Sequence, residues 1–522
     1  MSHANREDRR LAGRYEARER DWRNGAVVYQ VLVDRFAPSD RLAAKRHLYP
    51  APKRLRRWDE RPRRGRYLDD LRLWSHEIDF WGGDLASLVA RLDHVQRLGA
   101  EVLYLNPICE AYTNHKYDAL DYAAVSPEYG TRDEVIALAD ELHRRGMRLV
   151  LDGVFNHMGG QSARFRREQA ARSRAASPDD TAGPGTDEAT DWFHFGPQYP
   201  AGHRSWWGAA NLPELNLENP AVRAHLWGAP DSVVRGWLHD GIDGWRLDVA
   251  FDIGFVRLQE LTDAAHAQKP GSLVVGEIPN YPAQWVPSVD GVMHFALRRV
   301  LLGMASGHLD GPTAARMIAR IVADTDFEHL LKSWIYLDNH DTERLATAVP
   351  DERRRRVAQV LQFTLPGSPN LYYGSEVGMT GGADPGMRAP MRWDRVESGH
   401  AQLEWTRRLV ALREHRALRV GDFRTLVSRE LFAFERHTDR ALDAVLVVAN
   451  PSDRAVDEWL LVTDSKIMDL TLFEDLLGQV APVAVNAAML TLTVPAHTVL
   501  VLKPVPPQRA RGDGYSNYKR VQ

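Results

Sequence analysis

One cysteine, Cys109, stands in a chain of 522 residues. No disulfide can form within such a chain, and no metal site can be built from cysteine thiolates. Long apolar runs are lacking as well, so nothing in the sequence reads as a membrane span. The opening MSHANREDRRLAGRYEARER has no apolar core of the kind a secretion signal needs. A surplus of one charge is also missing. The 67 Lys and Arg nearly balance the 70 Asp and Glu, and the net charge of -3 draws the chain toward neither nucleic acid nor membrane. These absences point to a cytoplasmic protein with neither of those partners, and they leave the oligomeric state open. The densest basic stretch, KRLRRWDERPRRGR (53–66), holds a single aromatic, Trp58. Base stacking needs more than that, so the stretch reads as a solvated surface insertion.

What is present is a rhythm. Short apolar runs lie at 26–33, 101–106, 148–152, 244–248, 272–277, 290–295, 333–339 and 370–374, and helical patterns separate most of them. TRDEVIALADELHRRG opens with Thr131 and Glu134 at capping-box spacing and stops at Gly146. Eight strands alternating with helices predict an α/β fold, a parallel (β/α)8 TIM barrel. The length exceeds one ordinary core, so a second, smaller domain is expected. From about 420 the pattern changes to short alternating strands, which predict a C-terminal antiparallel β domain. The expected division is a charged lead-in at 1–24, a barrel at 25–418, an inserted small domain after strand 3 at about 157–219, a β domain at 419–504 and a tail at 505–522. A further long insertion, 37–80, follows the first strand. On a barrel, loops after strands fall on the face that carries active sites.

Charged residues collect at these strand ends. The fourth strand, within GWRLDVAFD (244–252), carries Arg246 and Asp248, which alternation places on one face. Ionised groups inside an apolar strand need partners or a use. Strand three ends at Asp152, strand five at Glu277, and strand seven runs into Asn339, His340 and Asp341. In a barrel these ends converge on one cleft. Glycoside hydrolysis uses two carboxyl groups, about 5–5.5 Å apart in a retaining enzyme. Arg246 would keep Asp248 ionised as the nucleophile. Glu277, near other carboxylates, would have its pKa raised and suit the acid/base role. Asp341 would grip sugar hydroxyls.

DGVFNH (152–157), GWRLDVAFD (244–252), VVGE (274–277) and LDNHD (337–341) resemble, in order, four sequence regions of the α-amylase superfamily of glycoside hydrolases. LPELN (212–216) resembles a fifth. The likeness extends over about 26–410. It implies Asp248 as nucleophile, Glu277 as acid/base, Asp341 as the transition-state carboxylate and Arg246 as partner of the nucleophile. It also implies Asp152, His157 and His340 as sugar contacts at the cleavage subsite. HKYDALDY (115–122) resembles the family segment whose tyrosine stacks on that sugar, so Tyr117 takes that role, with Asp118 beside it among the substrate-binding residues. No cofactor is required. Calcium is the one cation the resemblance allows, at Asn156, although Asn216 replaces an aspartate common in calcium-binding members.

Within the superfamily, HKYDALDY, DWFHF, SWWGAANLPELNLENPAV, HDTERL and MRAPMRWD are most similar to the neopullulanase, cyclomaltodextrinase and maltogenic amylase branch. That likeness implies an α-glucan or oligosaccharide substrate such as maltodextrins, cyclodextrins or pullulan. Two departures stand out. The β-sandwich that precedes the barrel in that branch has no counterpart in the 25 or so residues before the first strand. Ile278-Pro279-Asn280 follows Glu277 where the branch has Trp and His, so an aromatic platform on the leaving-group side is expected to be missing. Trp206 and Trp207 either line a sugar cleft or pack the inserted domain. The competing functions are a transglucosylase or isomerase working through the same intermediate, and a non-catalytic sugar-binding relative. The last would be expected to have lost one of Asp248, Glu277 and Asp341, and all three are present.

Overall fold

A computed structural model describes residues 6–175 and 191–505. Eight short parallel strands form its centre. They are β1 (Val28–Val31), β2 (Val102–Leu105), β3 (Arg148–Gly153), β4 (Gly244–Leu247), β5 (Leu273–Gly276), β6 (Gly291–Val292), β7 (Trp334–Tyr336) and β8 (Ser368–Tyr372). Neighbours pair in the order 6-5-4-3-2-1-8-7. A parallel bridge between Met293 and Trp334 joins the two ends, which closes the ring. Each strand is buried on both faces because helices cover the outside and side chains fill the inside. The interior carries Val28, Tyr104, Val150, Val275, Trp334 and Tyr336 as a packed plug below the cleft.

The C-terminal unit is antiparallel. Strands β9 (Asp422–Leu426), β10 (Phe432–His437), β11 (Val445–Asn450), β12 (Val456–Leu461), β13 (Leu472–Asp475), β14 (Val483–Ala484), β15 (Met489–Val494) and β16 (Thr498–Val505) form it. Six of them make one sheet, and β12 pairs with β15 in a second. Strand β11 is buried along its whole length, and its two faces serve different cores. Val445, Val447 and Ala449 join the barrel core. Leu446 and Val448 join the small core between the two sheets.

The charged lead-in is a docked helix, α1 (Arg6–Arg20). Buried Arg18 ties Glu328 of the barrel (2.6 Å) to Asp422 of β9 (2.8 Å). The Tyr15 hydroxyl donates to the same aspartate at 2.7 Å. The expected tail, 505–522, lies outside the described residues but for Val505, as does much of the Ala/Ser/Pro-rich part of the second insertion.

Both long insertions lie on the cleft face. The first has its own small core of Tyr49, Leu73, Ile78 and Phe80. Part of its basic run is paired from within: Arg54 and Arg56 share Asp79, and Arg57 pairs with Asp59. The second is held by antiparallel bridges His157–Glu214, Phe193–Leu215, Phe195–His203 and Ser205–Pro213. Among the described residues, no helix is long and apolar enough to cross a membrane.

Candidate active site

The register of the barrel explains why β4 tolerates its charges. Arg246 lies directly opposite Asp152 across the β3–β4 pair. Its side chain is fully buried. Nη1 donates to Asp152 at 2.9 and 3.1 Å and to Asp248 Oδ1 at 3.1 Å. Nη2 lies 2.8 Å from Glu277 Oε2. One guanidinium therefore gathers carboxylates from three consecutive strand ends. Its planar fork can serve several oxygens at once, which a lysine cannot do.

The backbone turns sharply just after Asp248. Val249 is left-handed (φ 39°, ψ 43°), a costly conformation for a β-branched residue. The turn aims the Val249 N–H at Glu277 Oε2, 3.0 Å away. The strain thus fixes the acid/base candidate relative to the nucleophile candidate.

Asp341 is held from the other side of the cleft. Its backbone N–H donates to Asn339 Oδ1 at 3.0 Å. Oδ2 lies 2.9 Å from His340 Nε2, and Oδ1 accepts from Arg388 Nη2 at 2.9 Å. The side-chain amides of Gln30 and Asn106 both donate to His340 Nδ1, at 2.8 and 3.1 Å. That makes Nδ1 the acceptor and leaves the proton on Nε2, facing Asp341 and the Tyr117 hydroxyl (2.6 Å).

The electrostatics differ across the trio. Burial pushes the Asp248 carboxyl well above its ordinary value; Arg246 opposes this, while Glu277, Asp152 and Asp341 add to it. The expectation that Arg246 keeps Asp248 simply ionised is therefore corrected. Arg246 is shared among three carboxylates, so its charge does not offset the desolvation of Asp248. Asp341 behaves in the opposite way. Its side chain is 45% exposed, and His340 and Arg388 hold it far below the usual carboxylate range.

The expected sugar contacts divide into two groups. His157 is buried, and neither ring nitrogen has a partner. Burial pushes its pKa down to about 3, so the ring is held neutral. Tyr117 lies near-parallel to His340, with ring centroids 5.4 Å apart at 10°, and its hydroxyl donates to Asp152 Oδ2 at 2.8 Å. Two residues change role. Asp152 has no exposed side-chain surface; Arg246, Tyr104 (2.6 Å) and Tyr117 use both its oxygens. It positions the arginine and the tyrosine and does not reach a sugar. The Asp118 carboxylate accepts from the backbone of Tyr112 and Thr113 at 3.2 Å, and from the Thr113 hydroxyl. It shapes the loop that carries Tyr117.

The residues present do not fit a calcium ion at Asn156. Asn216, which stands where calcium-binding members often carry an aspartate, is already engaged: its amide donates to Asp191 O at 3.0 Å and its Oδ1 accepts from Glu218 N at 3.2 Å. Among the described residues, no group of three His, Cys, Asp or Glu side chains could hold a metal. A hard dication needs many oxygen donors, with anionic ones among them.

Four residues that the sequence did not single out complete the site: Gln30, Asn106, Asp384 and Arg388. Gln30 and Asn106 lie on β1 and just past β2. Asp384 and Arg388 lie four apart on the loop after β8, with Arg388 Nη1 3.4 Å from Asp384 Oδ1. His76 of the first insertion reaches Asp384 Oδ2 at 2.8 Å. A carboxylate and an arginine in the loop after a barrel strand were the available signal.

Residues 30–408 match the family model for the catalytic domain of α-amylase. Neopullulanase 2 of Thermoactinomyces vulgaris is 33% identical over 411 residues, which cover 76% of this chain and 64% of that protein. A cyclomaltodextrinase of a Bacillus species is 31% identical over 458 residues, 83% of this chain and 74% of that protein. Among solved structures, the ligand-free cyclic α-maltosyl-(1→6)-maltose hydrolase of Arthrobacter globiformis superposes with a TM-score of 0.74 at 29% identity. That match covers 92% of this chain and all of that one.

Proposed function

The chain belongs to the α-amylase family of glycoside hydrolases, and from that premise we propose that it cleaves α-1,4-glucosidic bonds, with α-1,6 bonds as a second class, in maltodextrins, cyclodextrins and related α-glucans, with retention at the anomeric carbon. The observation that carries this reading is Arg246 holding Asp248 at 3.1 Å and Glu277 at 2.8 Å. One guanidinium bracketing both groups favours the short carboxyl spacing of retaining enzymes over the wider inverting gap.

In this reading Asp248 attacks the anomeric carbon, and Glu277 gives its proton to the departing glycosidic oxygen. A covalent glucosyl ester forms on Asp248. Glu277 then takes a proton from water as the water oxygen displaces the aspartate, which restores both groups. This division of labour needs an ionised Asp248 and a Glu277 that carries the proton when attack begins. Asp341, kept ionised by His340 and Arg388, offers its charge to the oxocarbenium-like centre. His157 supplies hydrogen bonds to a sugar hydroxyl without adding charge.

The test is proton NMR of a maltoheptaose digest over the first minutes, with Asp248→Asn as control. The expected result is fresh α-anomer products shorter than the substrate, absent in the control. Fresh β-anomer products would overturn the retaining assignment.

A further inference from the structure

The second insertion carries an aromatic residue that packing does not explain. Trp207 is 84% exposed, the most exposed large aromatic among the described residues. Its backbone is left-handed (φ 48°, ψ 26°), and Gly208 follows with φ 75°. Glycine or asparagine would occupy that conformation at less cost. The turn is not loose. Trp206 N donates to Leu212 O at 3.0 Å, Ala209 N to Trp206 O at 2.8 Å, and Leu212 N to Ala209 O at 2.8 Å. A closed turn thus holds a bulky ring out into solvent in a strained conformation.

The ring is also connected to the site. Trp207 lies 5.9 Å from Trp206 at 31°, and Trp206 stacks on His157 at 5.6 Å and 23°. Three rings step outward from buried His157. Asp252, in the short helix Ala250–Ile253 after β4, lies beside the Trp206 side chain. The tryptophans therefore stand beside the segment after β4, whose Val249 N–H donates to Glu277 Oε2.

We propose that Trp207 is a stacking platform for a glucosyl ring in the leaving-group half of an α-glucan chain. It takes the place of the aromatic pair that is missing after Glu277. The proposal rests on the glucan-hydrolase reading above and assigns that site a subsite of its own. A flat indole offers an apolar face to the C–H face of a sugar, and the fixed turn means little entropy is lost on binding.

The test uses the full chain carrying Asp248→Asn, which stops turnover while the cleft stays intact. Maltoheptaose binding is followed by calorimetry in this protein and in versions adding Trp207→Ala, Trp207→Phe or, as a distant exposed control, Trp459→Ala. The expected result is a Kd raised about tenfold or more by Trp207→Ala, a change of no more than a few-fold with Trp207→Phe, and none with Trp459→Ala. In the otherwise native enzyme, Trp207→Ala should raise KM for maltoheptaose more than it lowers kcat. Unchanged binding in Trp207→Ala would overturn the platform alone. No maltoheptaose binding by the Asp248→Asn parent would overturn the glucan reading, and the platform with it.

Discussion

Arg246 Nη1 lies 2.9 Å from Asp152 Oδ1 and 3.1 Å from Asp248 Oδ1, so the nitrogen that braces the nucleophile also binds the residue across the strand from it. Asp152 and Asp248 therefore compete for one cation, with Glu277 on its second nitrogen. Much of the chemistry of the site follows from this sharing.

Replacing Asp248 by Asn removes the group that forms the covalent bond while keeping its shape. The rate on maltoheptaose should fall by about 10⁴-fold or more, with sugar binding retained. Steady-state kinetics and calorimetry on the same preparation check this. Retention of most activity would end the nucleophile assignment.

Removing Arg246 strands three carboxylates in a dry site. Arg246→Met should lower stability by about 3–5 kcal/mol, the cost of breaking a buried ion cluster from one side. Arg246→Lys keeps the charge but lacks the fork, so it should recover part of the stability and little of the activity. Denaturant melts of both variants would settle it; an Arg246→Met protein as stable as the parent would contradict the account.

The pH profile carries a sign. Asp248 must be ionised to attack, and burial raises its pKa above the ordinary value. The acid limb of kcat/KM should thus lie above about 4, the usual aspartate range, with activity lost as pH falls through it. The limb belongs to the carboxylate pair as a whole. An acid limb at or below 4 would show that desolvation does not govern the nucleophile.

Glu128 makes a separate prediction for stability. Burial would raise its pKa, but Lys116 and Lys53 outweigh burial and bring it down to about 2. Lys53 Nζ lies 2.7 Å away and belongs to the basic run of the first insertion. A carboxylate lowered in the folded state stabilises above its unfolded pKa, and that stability is lost as pH falls toward the folded value. The contribution should be about 3 kcal/mol at pH 7 and shrink to about half by pH 3. Urea melts of Glu128→Gln against the parent should show that narrowing gap. A gap that stays constant with pH would rule out the linkage.

Much of the architecture was legible because periodicity is a local property. Eight apolar runs of strand length with helical patterns between them leave few ways to bury both faces, and a closed parallel barrel is one of them. Asp248, Glu277 and Asp341 were legible because carboxylates at apolar strand ends have no structural use. Val249 gave no signal, because nothing in the letters LDVAF announces a left-handed valine.

The sequence by itself determined the order of strands, the chemistry available at their ends and the family to which those motifs point. Tertiary structure alone decided which carboxylates share Arg246, because cross-strand register and not chain distance puts Asp152 opposite it. It turned Asp152 and Asp118 inward, because their oxygens are consumed by neighbours 5 to 94 residues away. It also brought His76, Asp384 and Arg388 to Asp341 and set Trp207 at the end of a stack of rings. Loops separated by hundreds of residues meet only when the barrel closes, and their side chains acquire charge, shielding and partners at that moment.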